Sequence, residues 1–232
     1  MSVKQLVAAV GTVAGFAGLI VAGTLLSSPR VHADDEHGES DEAQIKIGFE
    51  IAPVQLTYDQ HNRKLVGLGS YLVNASSGCN GCHSAGPTTE YAPGHNPFMR
   101  LGPFTPPAQL NTHTYLGGGR DFGQIGPITS PTIPPHIVSR NLTPDKSGLP
   151  EGGATFAEFY NTIRHGIDAD NAHPNCNGTT ITDHCFNPPF NGNLLQVMPW
   201  PEYQDWTDRQ LHAVYEYLKA IPCIAGPGHE CL

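Results

Sequence analysis

Cys79-Asn80-Gly81-Cys82-His83 is the stretch of this sequence whose residue types and spacing most directly specify a chemistry. Two thiols separated by two residues, with an imidazole directly after the second, form the attachment pattern of covalently bound haem. The spacing follows from the cofactor. Both thiols add across vinyl groups of one porphyrin, so they must lie a short turn apart. The next residue then falls beneath the ring, where an imidazole nitrogen reaches the iron. Two other Cys-x-x-Cys chemistries compete. A structural zinc site needs a second ligand pair of compatible spacing, and Cys176 and Cys185 are too far apart in sequence to supply one. A thioredoxin-like dithiol needs a strand–helix–strand setting, which is missing around residue 79. The expectation is therefore one covalent haem c, held by Cys79 and Cys82, with His83 as proximal iron ligand.

The ligand on the other face of the iron decides between carrier and catalyst. Apart from Met1, the chain has two methionines, Met99 and Met198. Met198 precedes Pro199, and a residue before proline is biased away from helix, so its thioether is expected on an extended segment. Met198 is read as the second iron ligand; Met99 is read as a loop-packing residue and stands second as a ligand. Without the haem motif, Met198 would be read as core filler. A His/Met pair raises the reduction potential and suits electron transfer. The alternatives are a peroxidase-like haem enzyme and a gas-binding or sensing haem protein, both of which need an open sixth position. The remaining histidines are scattered singly, and surface or hydrogen-bonded roles are expected for them. Asn141-Leu142-Thr143 and Asn177-Gly178-Thr179 match the glycosylation sequon, a match too common to carry weight.

Around these residues the composition describes an exported, loop-rich chain. Charged residues make up only 14%, against 26 glycines and 21 prolines in 232 residues. That balance disfavours a plain helical bundle. Residues 1–33 are expected to be a signal peptide or a retained membrane anchor: Lys4 precedes an uncharged stretch from Leu6 to Leu26, and Val31-His32-Ala33 suits cleavage. The stretch is also long enough to span a bilayer. Either way the remainder faces an oxidising compartment, periplasmic or otherwise extracytoplasmic. The leader carries Lys4, Arg30 and no acids, so its loss would take the net charge from −9 to −11. No basic stripe is visible, which argues against nucleic acid as a partner. The four cysteines outside the motif are expected to pair as Cys176–Cys185 and Cys223–Cys231, each closing a short loop. Other pairings, and buried free thiols, stay open.

The positioning elements are expected as follows. Residues 34–62 read as an acidic tail or linker with a short apolar lead-in. Leu65, Leu68, Leu72 and Ala75 mark a helix stopped by Gly78 just before the motif. A second helix over 156–164 is signalled by a Thr155/Glu158 capping box and ended by Gly166. A third begins at a Thr207/Gln210 capping box, carries Leu211, Val214, Tyr215, Leu218 and Ile221, and stops at Pro222. Long Pro/Gly-rich excursions over 84–138 and 169–193 separate these helices, and nothing in the sequence gives them a role.

With these parts assembled, the chain resembles the class I c-type cytochromes, and most nearly single-haem relatives of the bacterial cytochromes associated with periplasmic alcohol and sugar dehydrogenases. The resemblance spans residues 65–222. It is carried by Gly69-Ser70-Tyr71-Leu72, the haem motif, Gly118 to Phe122, Ser139 to Asp145, Phe159 to Gly166, and Met198-Pro199-Trp200 with Ala213 to Leu218. It implies an all-α cytochrome c fold over 63–222 with long irregular Pro/Gly-rich loop insertions, followed by a disulfide-closed tail over 223–232. It also implies that the first and last helices cross beside the haem, with Gly69 allowing close approach to Tyr217. The implied role is electron transfer between redox proteins, with a periplasmic dehydrogenase as donor and an oxidase or other cytochrome as acceptor. Many dehydrogenase-linked relatives carry several haem motifs; this chain has one, which favours a separate carrier over a fixed subunit.

Overall fold

The structure is a computed structural model describing residues 33–99, 106–124, 136–168 and 194–232. Its helices are α1 (Ala33–Ile51), α2 (Arg63–Tyr71), α3 (Phe156–His165) and α4 (Asp208–Ala220). A two-stranded antiparallel ribbon, β1 (Asp121–Gln124) and β2 (His136–Val138), lies between α2 and α3. The all-α expectation therefore meets a small β element inside the first long excursion. The expected leader, residues 1–33, falls almost wholly outside the described residues. Among the described residues no helix is long and apolar enough to cross a membrane.

The crossing of α2 with α4 organises the core. A Cβ built on Gly69 would lie 2.0 Å from the carbonyl oxygen of Ala213 and 2.7 Å from Cβ of Tyr217. Real Cβ contacts never come so close, so the two helices meet backbone to backbone, and only glycine fits there. Tyr217 is fully buried at that crossing, although it falls outside the apolar repeat of Leu211, Val214, Tyr215, Leu218 and Ile221. Val66 and Leu68 of α2 pack with Leu211, Val214 and Leu218 of α4 in the same core.

The acidic segment differs from its expectation as a tail or linker. Residues 33–51 are helical, and Ile45 is buried in the core. A Cβ on Gly48 would meet the Gly67 carbonyl oxygen at 1.9 Å, so α1 is seated against α2 through a second glycine contact. The buried hydroxyl of Ser70 donates to the Gly48 carbonyl at 2.6 Å. Asp41 pairs with Arg209 of α4 and Glu42 with Lys64 of α2. Asp41 and Glu42, part of the run that signalled a solvated tail, instead lie on the outer face of a packed helix, whose inward residues Ile45, Gly48 and Phe49 were too few to declare a period.

α3 and α4 begin as their sequences require. Thr155 and Glu158 exchange the two hydrogen bonds of a capping box, and so do Thr207 and Gln210. Gly166 ends α3 in the left-handed region at φ 68°. α2 passes through a wide π turn, Leu72–Ser76, before left-handed Gly78 (φ 59°) breaks the run directly ahead of Cys79. That turn presents Asn74 to a closed, buried hydrogen-bond ring. Tyr115 Oη donates to Asn74 Oδ1 (2.5 Å), Asn74 Nδ2 donates to Tyr217 Oη (3.1 Å), and the two phenols lie 2.8 Å apart. Burial pushes both phenols above their ordinary range, so they remain neutral donors. The ring binds the end of α2, the following excursion and α4 together.

Since Gly69 faces backbone and not a movable side chain, Gly69→Ala must spread the α2–α4 crossing. Overpacking of this kind costs about 1–3 kcal/mol. Chemical denaturation of the variant should show a loss of that size, and an unchanged midpoint would contradict the packing described.

Candidate functional site

Cys79-Asn80-Gly81 forms a single 3-10 turn, and the amide of His83 donates to the Cys79 carbonyl at 2.9 Å. The turn is anchored from within by Asn80, which is buried and whose Oδ1 accepts the amide of Leu116 at 2.8 Å. Leu116 is itself fully buried and held at φ 58°, a left-handed conformation uncommon for leucine. Its carbonyl accepts the amide of Leu142 at 2.8 Å. Thus a residue inside the motif grips the 114–118 segment, and that segment grips 141–142. Arg120 adds an outer tie, donating from Nη1 to the Gly81 carbonyl at 2.5 Å while lying over Phe122.

The imidazole of His83 is fixed by the same neighbours. Nδ1 donates to the Arg140 carbonyl at 2.9 Å, and the His83 carbonyl accepts the Gly118 amide at 2.9 Å. A Cβ on Gly118 would sit 2.5 Å from that Arg140 oxygen, and φ there is 68°. Glycine is therefore required both by conformation and by the closeness of the peptide it supports. With Nδ1 committed to a carbonyl, Nε2 is the ring nitrogen left for a metal. Burial is the main cause holding the His83 pKa below the ordinary imidazole range; the Arg140 charge adds to it and the carbonyl bond opposes it. The ring is thus neutral at physiological pH, the form that ligates metals.

Cys79, Cys82 and His83 line a cavity of about 370 Å³, and Met198 lines the same cavity. The volume lies within the range of cofactor sites. Cys79 is half-buried and Cys82 exposed, and neither is disulfide-bonded. Burial pushes the Cys79 thiol up to about 12. A redox-active cysteine is usually an accessible thiol of lowered pKa, a pattern that Cys79 does not show.

Met198 reaches the cavity on an irregular segment between the Ile167–Leu194 bridge and a short turn, Trp200–Glu202. Leu195 donates its amide to the Gly166 carbonyl at 2.8 Å, and the Trp200 indole lies where a Gly166 Cβ would be, 2.3 Å from the built position. The glycine that ends α3 is thereby also the seat of the Met198-Pro199-Trp200 segment. Met99, the alternative ligand, is exposed and does not line the cavity.

The rest of the wall was not assigned from sequence. Phe122, His136, Ile137 and Val138 of the β ribbon form one side, so at least part of the 84–138 excursion serves to wall the cavity. Leu194, Leu195 and Val197 add apolar surface beside Met198. Arg140 also lines it, paired with Glu151 at 3.0 Å and with Asp168. Glu151 is held at φ 54°, which aims a carboxylate from a left-handed turn at this guanidinium. Glu151 and Asp168 were not named from sequence, and Gly118 and Arg140 stood only within stretches that carry the resemblance, with no role given them. The further hints were the glycine runs at 117–119 and 152–153, in which Gly118, Gly119, Gly152 and Gly153 have positive φ.

Cys223 and Cys231 are disulfide-bonded in the tail, as expected. The expected Cys176–Cys185 bridge and the whole 169–193 excursion lie outside the described residues. The chain matches no family model, no curated protein and no solved structure.

Asn80→Ala would leave the buried Leu116 amide without its acceptor. A loss of about 1–3 kcal/mol is expected on denaturant unfolding, and a near-zero change would mean that the motif is not gripped from this side.

Proposed function

We propose that this chain is a single-haem c-type cytochrome that carries electrons outside the cytoplasm. One observation carries the reading: the two motif thiols, an imidazole with its Nδ1 already committed, and the thioether of Met198 all line one cavity of cofactor size. The donor set suits haem iron, with a neutral nitrogen and a soft sulfur. The predominantly apolar wall suits a large flat ring. The fold proposed with it is the class I cytochrome c fold carrying two long insertions.

Haem supplies reversible one-electron chemistry when bound; the chain's own residues do the rest. Cys79 and Cys82 anchor the cofactor, His83 offers Nε2 to iron, and Met198 offers sulfur. The Arg140 carbonyl, by accepting from Nδ1, makes the imidazole a stronger donor and fixes its plane. Phe122, Ile137, Val138, Leu194 and Leu195 exclude water. The exposed position of Cys82 brings one edge of the site to the surface, where an electron can pass to or from a partner. The proposed partners are redox proteins, a periplasmic dehydrogenase as donor and an oxidase or second cytochrome as acceptor. The net charge of −9 for the whole chain favours a partner face of opposite sign, with salt-sensitive encounter.

The test is spectroscopic. Produced with c-type haem maturation, the wild type should carry covalent haem, and Cys79→Ala with Cys82→Ala should abolish the covalent link. The oxidised wild type should show the weak red charge-transfer band of iron–thioether ligation and should resist cyanide; the reduced form should resist carbon monoxide. Met198→Ala should lose the band and bind both ligands. Rapid cyanide or carbon monoxide binding by the wild type would replace the carrier role with an enzyme or gas-binding role.

A further inference from the structure

The loop closed by Cys223 and Cys231 lies after the last helix and contributes nothing to the cavity wall, yet its inner residue is tied to both segments that hold His83. Ile224 is the link. Its amide donates to Thr143 Oγ1 at 3.0 Å, and its carbonyl accepts from Asn141 Nδ2 at 2.6 Å. Its side chain lies 3.1 Å from where a Cβ on Gly117 would stand. Gly117 precedes the residue that donates to the His83 carbonyl, and Asn141 follows the residue whose carbonyl accepts from His83 Nδ1.

The loop is itself built to hold that residue still. Gly226 and His229 exchange backbone hydrogen bonds, both 3.0 Å, inside the disulfide ring. His229 is buried, with Nε2 3.2 Å from the Pro144 carbonyl and 3.3 Å from Thr143 Oγ1. Thr143 is fully buried and donates its hydroxyl to Asn141 Oδ1 at 2.7 Å. Further out, the Lys146 amide donates to the Glu230 carbonyl at 2.8 Å, and their side chains pair in solvent.

We propose that the Cys223–Cys231 loop is a positioning clamp for the proximal imidazole: through Ile224 and Asn141 it sets the place of the Arg140 carbonyl against His83 Nδ1. This rests on the haem reading above. With the disulfide opened, the loop frees Ile224, the 140–143 segment relaxes, and the Nδ1–H···O bond weakens. His83 then becomes a poorer donor to iron, which stabilises the ferric state less and raises the reduction potential.

The experiment uses full-length haem-loaded protein and compares wild type, the double variant C223S/C231S, and Asn141→Asp. The last keeps the disulfide and the acceptor oxygen for Thr143 but removes the donor to Ile224. Two readouts are taken far below any unfolding transition: the midpoint potential, and hydrogen exchange of the His83 Nδ1 proton by NMR. In both variants the Nδ1 proton should exchange faster by about tenfold or more, and C223S/C231S, which adds no charge, should have a higher midpoint potential. Glu230→Gln, which weakens only the exposed outer pair, should match the wild type. Should the double variant not fold, Asn141→Asp alone decides. Wild-type Nδ1 exchange in Asn141→Asp overturns the clamp while leaving the haem reading intact, as does an equal shift in Glu230→Gln. A wild type that takes up no covalent haem overturns the haem reading itself, and the clamp with it, before any variant is compared.

Discussion

Two helices touching backbone to backbone at Gly69 constrain everything around the site. A Cβ there would stand 2.0 Å from the Ala213 carbonyl, so the axes of α2 and α4 can come no closer and have no side chain to hold them apart. Because α2 runs through a π turn straight into Gly78 and the Cys79 turn, fixing α2 against α4 also fixes where the motif begins. The Tyr115–Asn74–Tyr217 ring then fastens the same end of α2 to the excursion beyond the motif. Removing any of these three polar groups would leave others buried without partners, which is the costly direction of change. The motif's position is thus a consequence of helix packing, and its orientation a consequence of the buried polar ring.

On that frame the described part of the first long excursion acquires a physical purpose. Each helix offers only one apolar stripe, and the excursion adds wall that the helices do not supply. The β ribbon adds a wall whose residues Phe122, Ile137 and Val138 come from two strands with a broken register between Asp121 and Gln124. The Arg140 backbone serves the imidazole while its side chain faces two carboxylates on the cavity wall. A half-buried guanidinium between two acids holds its own segment in place, since withdrawing one partner would leave an uncompensated charge. One residue thereby supports the site from both its main chain and its side chain.

Much of this was legible where the signal is local. The capping boxes at Thr155 and Thr207, the stop at Gly166 and the break at Gly78 depend on residues within four positions of one another. The motif was legible for the same reason. Where meaning depends on distant partners, sequence was mute. Asp41 and Glu42 read as solvated acids because Arg209 and Lys64 lie far along the chain. Asn141-Leu142-Thr143 read as a common sequon, while its Asn and Thr side chains bind the disulfide loop. Glu151 could not be chosen in advance, because a non-glycine residue at φ 54° carries no compositional mark. Met198 was reached only by elimination among few methionines and by its following proline.

The two halves of the candidate site are held differently. His83 is restrained through its own carbonyl by Gly118, through Nδ1 by Arg140, and through its turn by Asn80 and Leu116. Each restraint is a backbone or buried contact within a closed loop of interactions, so displacing one strains the others. Met198 lies on an irregular segment held by packing against the core and by turn bonds, its carbonyl accepting the Trp200 amide, while Gly166 bonds Leu195 and seats Trp200. Under the proposed reading the two ligands are thus held by different means, the imidazole by a buried polar network and the thioether by packing of its segment against the core.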